Sequence, residues 1–246
     1  MTRSRLMIAA AIAAGLILIV VGTLWTAPRV IVPRLAAASP DCLYSVRTSA
    51  SAVALTIDDV PAPGTTARIR ELLARHRARA TFFVIAEQIP GNEHVLRDLV
   101  ADGHELGNHL TRDEPSIRLS RAGFEASLDE AGRALSPYAP VRWMRPGGGF
   151  YDSAMVATAR RHGYRCALGS VYPLDAAIPS VGFATRYILA HVRPGAVIIL
   201  HDRGRRGERT VTTLERVLPE LERRGLRVVT LSEMVSLPDR PATASR

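Results

Sequence analysis

The alternation of short apolar runs with amphipathic stretches, from about residue 51 onward, constrains the fold of this chain most strongly. Short uninterrupted apolar runs are typical of strands buried on both faces, and apolar residues three and four positions apart are typical of helices that cover a sheet. Seven runs are candidate strands: Ala52–Ile57, Ala80–Ile85, Glu105–Asn108, Val141–Arg145, Arg165–Leu168, Ala196–Leu200 and Arg227–Leu231. Candidate helices between them include Ala67–His76, His94–Ala101 and Thr210–Arg223. This alternation predicts a parallel α/β sheet, either open or closed into a barrel.

Polar side chains follow several of these candidate strands at their carboxyl ends. They stand directly at the strand end or one loop later: Asp58, Asp59, His109, Arg145, Asp175, His201 and Asp202. In a parallel α/β fold the strand-to-helix loops meet at this end, and catalytic residues gather there. We therefore expect one site built from these residues.

The adjacent carboxylates Asp58 and Asp59, in the sequence TIDDVP, are the first of these residues. Each negative charge raises the cost of ionising the other, so a buried pair requires a cation or a proton nearby. A solvent-exposed turn would leave both side chains in water and is the alternative. The other polar strand ends favour the buried pair over the exposed turn.

The N-terminal stretch Leu6–Trp25 contains about twenty residues without a charge, enough to cross the hydrocarbon core of a bilayer as a helix. A cleaved signal peptide is the alternative, but its apolar core is normally 7–15 residues long. We favour an uncleaved anchor. The predicted division of the chain is a membrane anchor at 1–27, a linker at 28–50, a catalytic domain at 51–236 and a flexible tail at 237–246.

The basic composition does not indicate a nucleic-acid partner. The net charge is +9, and all 32 basic residues are arginines scattered among alanine and leucine, without an aromatic-interleaved patch. Two cysteines, Cys42 and Cys166, are widely separated and form no Cys/His zinc pattern. In a cytosolic protein they would be free thiols, and outside the cytoplasm they could form one disulfide.

Five motifs resemble those of the polysaccharide deacetylases, the NodB-homology group of carbohydrate esterase family 4. They are TIDDVP (56–61), GHELGNHLTRD (103–113), RPGGG (145–149), YPLDA (172–176) and ILHD (199–202), in the order and spacing of that family. The resemblance covers about residues 51–235. It implies a distorted (β/α) barrel with about seven strands.

The resemblance also implies a metal site. Asp58 matches the catalytic base, Asp59 a metal ligand, and His109 the first histidine of the family's His-x-x-x-His element. Where the family has its second histidine, this chain has Asp113. On one turn of helix Asp113 could still reach the same ion. Because two carboxylates and one imidazole form a harder ligand set, manganese, iron or cobalt become better candidates beside zinc.

The resemblance assigns the remaining catalytic roles. His201 matches the general acid that protonates the leaving amine, and Arg145 would pair with Asp58 and keep it oriented and ionised. Asp175 lies where the family places a carboxylate that tunes the acid histidine. The tryptophan often found next to that carboxylate is Ala176 here, a departure from the family pattern.

Three further residues are expected to contact the substrate. A backbone N–H near Gly147 and Gly148 would bind the oxyanion, and Leu200 would form a wall of the acetyl pocket. His104 lies five residues before His109, off its helical face, and is predicted to be a structural histidine bonded to the backbone.

The predicted function is a membrane-anchored, metal-dependent hydrolase that removes N-acetyl groups from amino-sugar polymers or oligomers, with its domain outside the cytoplasm. Its partners would be an N-acetylated carbohydrate and the cytoplasmic membrane, without nucleic acid, and the oligomeric state stays open. Two alternatives remain: hydrolysis of another C–N amide, such as a formylated lipid-linked sugar or a small amide, and a catalytically silent carbohydrate-binding module.

Overall fold

The structure is a computed structural model and describes residues 3–239. Strands and helices alternate along these residues. The strands are β1 (Cys42–Leu43), β2 (Ala52–Val60), β3 (Thr81–Val84), β4 (Glu105–Asn108), β5 (Trp143–Met144), β6 (Arg165–Ala167), β7 (Val197–His201) and β8 (Arg227–Val229). The α-helices are α1 (Arg3–Ala38), α2 (Thr65–Arg75), α3 (Glu93–Ala101), α4 (Arg121–Leu135), α5 (Ser153–Arg161), α6 (Val181–His191), α7 (Arg205–Arg223) and α8 (Leu231–Ser236). Short 3₁₀ turns lie at Ala86–Gln88, Ser116–Arg118 and Gly147–Gly149.

The eight strands form one sheet in the order β1-β6-β5-β4-β3-β2-β7, and β8 also pairs with β2. All of these strand pairs are parallel. An isolated parallel bridge joins Val171, just after β6, to Ile198 of β7. It connects the two ends of the strand order, since β6 lies near one end and β7 at the other. The predicted parallel α/β sheet is therefore confirmed, and β1 is added to the seven predicted strands.

The central strand β2 explains how the first motif reaches the site. Every residue of β2 is buried. β7 pairs along one side of this strand, and β3 and β8 pair along the other. The strand continues through Asp58 and Asp59, past the predicted end at Ile57. The pairing with β3 shifts register between Ile57 and Val60, and Asp59 has a φ of 67°. Such a bulge changes the direction in which strand side chains point.

The helices cover the sheet with the apolar faces that their periodicity predicts. The face of α7 is an example, since Leu214, Val217, Leu218 and Leu221 are all buried in the main core cluster. The core thus fixes the strand ends on which the polar side chains lie.

The segment predicted as a linker, 28–50, contains the last turns of α1 and the strand β1. α1 continues through two prolines to Ala38, and the ring of Trp25 contacts the rings of Tyr187 and His191 on α6. β1 pairs with β6 at the end of the sheet. Trp25 and β1, both before residue 51, therefore pack against the domain.

In the part of the chain that the structure describes, no helix meets the length and apolarity needed to cross a membrane. The predicted anchor, Leu6–Trp25, depends mostly on side chains that lie outside this description. Residues 240–246 of the predicted tail also lie outside the residues that the structure describes.

Candidate active site

A cavity of about 220 Å³ lies at the carboxyl ends of the strands. Seven of the ten predicted site residues line it: Asp58, Asp59, His109, Asp113, Arg145, Gly148 and His201. The strand register explains part of this grouping, because Asp58 at the end of β2 lies directly beside His201 at the end of β7. Of the seven polar residues predicted at the strand ends, five therefore line one cavity: Asp58, Asp59, His109, Arg145 and His201.

Asp58 and Arg145 form a buried ion pair at the base of this cavity. Arg145 Nη1 donates to Asp58 Oδ1 at 2.5 Å and to Thr56 Oγ1 at 2.8 Å. The other guanidinium nitrogens donate to the carbonyls of Ala167 at 2.9 Å and Leu168 at 3.1 Å. Both charged side chains are almost fully buried. Arg145 therefore neutralises Asp58 and holds one of its oxygens in a fixed direction, as predicted.

Asp59 and His109 face each other across the cavity. The Nδ1–H of His109 donates to the carbonyl of Arg145 at 2.8 Å, so Nε2 carries the lone pair and lies 3.8 Å from Asp59 Oδ1. The second Asp59 oxygen accepts a hydrogen bond from Arg206 Nη1 at 3.0 Å. Burial raises the pKa of Asp59, and neighbouring carboxylates raise it further, whereas nearby histidines oppose the shift. A nearby positive charge, such as that of Arg206, therefore favours the ionised form of Asp59.

The donor set of Asp59 and His109 fits a divalent metal. A carboxylate oxygen and an imidazole nitrogen each bind such an ion at about 2.0–2.2 Å, so two ligands of one ion lie up to about 4.2 Å apart. The distance of 3.8 Å between them is within this limit. The hydrogen bond at Nδ1 also fixes the tautomer that a metal ligand requires.

The third predicted ligand, Asp113, lines the same cavity but has another partner. Its Oδ2 accepts a hydrogen bond from Arg203 Nη1 at 2.9 Å. Across residues 3–239, no three His, Cys, Asp or Glu side chains come close enough to hold one ion. Two predicted ligands therefore meet, and ligation by Asp113 stays a prediction.

His201 is held by Asp175 through two hydrogen bonds. The backbone N–H of His201 donates to Asp175 Oδ2 at 3.0 Å, and its Nδ1 lies 3.0 Å from Asp175 Oδ1. Burial disfavours the charged imidazole, but Asp175 and the more distant charges of Asp58 and Asp59 outweigh it and raise the pKa of His201 to about 9. A protonated His201 at neutral pH is suited to donate a proton.

Comparison with known proteins shows the family of this chain. The family model for polysaccharide deacetylase matches residues 45–167, half of the chain. A peptidoglycan-N-acetylglucosamine deacetylase of Bacillus cereus is 30% identical over 195 residues, which cover 78% of this chain and 92% of that protein. The chain belongs to the polysaccharide deacetylase family. The prediction of a hydrolase of the carbohydrate N-deacetylase class is thereby confirmed.

One further relative supports the family, and one solved structure supports the fold. A chitooligosaccharide deacetylase of Sinorhizobium fredii is 34% identical over 199 residues, covering 76% of this chain and 93% of that protein. The solved structure of a peptidoglycan N-acetylglucosamine deacetylase in complex with a substituted benzamide superimposes with a TM-score of 0.75 at 24% identity. It covers 81% of this chain and 95% of that one, and it supports the fold.

Two predicted substrate contacts differ in the structure. The N–H of Gly147 donates to Ser116 Oγ at 2.6 Å, so this amide is engaged, whereas Gly148 lines the cavity. Leu200 lies in the main core cluster, and Ile199 lines the cavity instead. Successive strand residues point to opposite faces, so Ile199 shares the cavity face with His201 and Leu200 does not. The prediction of Leu200 as a wall of the acetyl pocket is therefore wrong.

Sequence reasoning missed the two arginines that reach the site from the start of α7 and the loop before it. Arg203 and Arg206 pair with Asp113 and Asp59, respectively. The signal for them was the basic run RGRRGER, residues 203–209, directly after ILHD. Tyr172 was also missed; it lines the cavity with its ring centroid 5.8 Å from that of His201.

The structural role predicted for His104 is confirmed. The N–H of Ala80 donates to His104 Nδ1 at 3.2 Å. Burial lowers the pKa of His104 to about 4, so the ring is a neutral acceptor at physiological pH. It therefore ties the start of β3 to the turn before β4 and takes no part in the cavity.

Proposed function

We propose that this protein hydrolyses N-acetyl groups on amino-sugar polymers or oligomers of the peptidoglycan or chitin type. The observation that carries the proposal is the opposed pair of Asp58 and His201 in one cavity. Each is held by a buried partner of opposite charge, Arg145 for the former and Asp175 for the latter. A base and an acid with such different environments are what amide hydrolysis requires. The named substrates of the relatives support the substrate class.

Asp58 acts as the general base. It removes a proton from the water that attacks the acetyl carbonyl carbon, while Arg145 fixes Oδ1 and leaves Oδ2 to receive the proton. The pair is preorganised, because the four hydrogen bonds of the guanidinium hold it in place before substrate binds.

His201 acts as the general acid. As the C–N bond breaks, it donates a proton to the leaving amine nitrogen. Asp175 keeps Nδ1 occupied, so the other ring nitrogen delivers this proton. The backbone N–H of Gly148, at the cavity wall, is the candidate donor to the oxyanion.

A divalent metal completes the proposed site. Asp59 and His109 would hold it, with Asp113 as the predicted third ligand, and zinc, manganese, iron and cobalt are the candidates. When bound, it supplies Lewis-acid polarisation of the carbonyl and of the attacking water.

The location is also part of the proposal. The apolar stretch Leu6–Trp25 would hold the domain at the outer face of the cytoplasmic membrane, where cell-wall polymers are found. A reporter that is active only outside the cytoplasm, fused to the C-terminus, should give signal. A signal restricted to the cytoplasm would contradict this location.

The central experiment is the release of acetate from an N-acetylglucosamine hexamer and from peptidoglycan. Asp58→Asn keeps the shape of the side chain and removes the base, so activity should fall about 10²-fold or more. Asp239→Asn, at an exposed residue near the end of the described chain, is the matched control and should retain full activity. Full activity of Asp58→Asn, or of protein stripped of metal, would refute the mechanism.

One observation favours the silent carbohydrate-binding module as a second candidate. Asp59 and Asp113 both have arginine partners that supply positive charge where a metal would. If the wild type binds the hexamer, takes up no divalent metal and releases no acetate, this second candidate is correct.

A further inference from the structure

A second cavity, of about 540 Å³, lies beside the catalytic one. Its walls come from the end of α1, the segment 39–44 and the segment 149–156 that leads into α5. Gly149 lines both cavities, so the two are continuous along this residue. We call this second cavity the outer groove.

The side chains of the outer groove combine aromatic surface with hydroxyl groups. Phe150 is 65% exposed, although a phenylalanine is normally buried. The hydroxyls of Tyr44 and Tyr151 share a hydrogen bond of 2.7 Å, and the exposed carboxylate of Asp41 lies at the rim. An aromatic face beside fixed polar groups is suited to a pyranose ring, which has an apolar face and a hydroxylated edge.

Much of one wall of the outer groove lies outside the region that the family model matches, which begins at residue 45. Leu35 and the segment 38–44 come before this point, and they reach the groove because α1 and β1 pack against the domain. The N-terminal segment of this chain therefore contributes one wall of the outer groove.

We propose that the outer groove binds a sugar residue of the same glycan chain, adjacent to the residue whose acetyl group is removed. This inference rests on the proposed function and adds to it a second binding contact on the same glycan chain. Phe150 stacks on the ring, and the tyrosine pair and Asp41 bind its hydroxyls. Continuity through Gly149 allows one glycan chain to occupy both cavities.

The test compares substrates of different length with the full chain. Acetate release is measured on N-acetylglucosamine oligomers from the dimer to the hexamer, and on a one-ring chromogenic acetyl ester. Phe150→Ala should lower kcat/KM on the longer oligomers by about 3- to 10-fold, mainly through KM, because it removes one stacking contact. It should leave hydrolysis of the ester unchanged. Phe150→Trp should restore most of the loss.

Ile117→Ala is the control, since Ile117 is an exposed apolar side chain that lines neither cavity. An equal loss on the ester and the hexamer, or no loss on the hexamer, would overturn the proposal. So would a Phe150→Ala variant that binds lipid vesicles less well than wild type yet processes the hexamer normally, because the groove would then contact a membrane.

A binding measurement separates this proposal from the proposed function. Calorimetric titration of the hexamer into Asp58→Asn measures affinity without turnover, and Phe150→Ala in that background should weaken it by a similar factor. If wild type releases no acetate but this weakening is found, the groove proposal is supported and the proposed function is refuted. If the affinity does not change, the groove proposal falls.

Discussion

Replacement of Arg145 by methionine tests the electrostatic organisation of the site. Methionine retains much of the length of the side chain and removes its charge and hydrogen bonds. In the wild type, the guanidinium is 2% exposed, donates to Asp58 and Thr56, and lies 4.1 Å from the ring centroid of Phe83. It also donates to the backbone carbonyls of Ala167, the last residue of β6, and of Leu168, the residue after it. Water does not easily replace these contacts, because the guanidinium is almost fully buried.

The expected loss follows from the carboxylate that remains. Breaking a buried ion pair by removing one partner costs about 3–5 kcal/mol, because an uncompensated charge stays in the interior. Asp58→Leu in the same background removes that charge. The double variant Arg145→Met/Asp58→Leu should therefore lose at least about 1 kcal/mol less than the sum of the two single variants.

The assay is urea unfolding of the full chain followed by circular dichroism, at pH 7 with a chelator so that metal does not contribute. Arg223→Met removes an exposed ion pair with Glu220 on α7 and should leave the unfolding midpoint close to that of wild type. A midpoint for Arg145→Met equal to that of this control, or additive losses in the double variant, would refute the argument that Arg145 holds Asp58 as a buried charge.

Three other predictions concern protonation, sulfur chemistry and metal affinity. Since the pKa of His201 is raised to about 9, kcat/KM should fall as the pH rises through this value, and Asp175→Asn should move the fall to lower pH. Identical pH–rate profiles for wild type and Asp175→Asn would contradict the acid role of His201. Cys42 and Cys166 are direct neighbours in the pairing of β1 with β6, and both are free thiols in the structure. Protein made in an oxidising compartment should contain one disulfide between them, whereas labelling of two thiols in the denatured, unreduced protein would exclude it. Arg206→Gln removes a partly exposed cation from a buried carboxylate, so manganese or zinc affinity measured by calorimetry should rise up to about fivefold, and a decrease would contradict competition between this arginine and the metal.

The strands were predictable because their apolar runs are short, continuous and bounded by polar residues. The strand β1 was not predictable, since it has only two residues, near proline and serine, and so carries no periodic signal. The helix α1 also passes through Pro28 and Pro33, where local propensity predicts a break. Its last turns pack against the domain through Val32 and Ala36, so tertiary contacts decide the structure there.

The positions of the site residues were predictable, but their surroundings were predictable only in part. A strand end places Asp58 or His201 at the right edge of the sheet, whatever the details of packing. Which residue of β7 faces the cavity depends on the phase of the alternation, and here it is Ile199 and not Leu200. The partners Arg203 and Arg206 lie around the loop–helix junction after β7, where distance in sequence carries no information about which carboxylate each will meet.

The adjacent carboxylates Asp58 and Asp59 can both be buried because the chain gives each a different partner. In a regular strand their side chains would point to opposite faces. The shift of register after Ile57 and the positive φ of Asp59 bring both into one cavity instead. Asp58 then meets a cation fixed by four hydrogen bonds in the interior, whereas Asp59 meets Arg206, which is partly exposed and can be displaced. This difference supports separate roles: the carboxylate with the permanent partner is suited to act as a base, and the one with the exchangeable partner is suited to accept a metal.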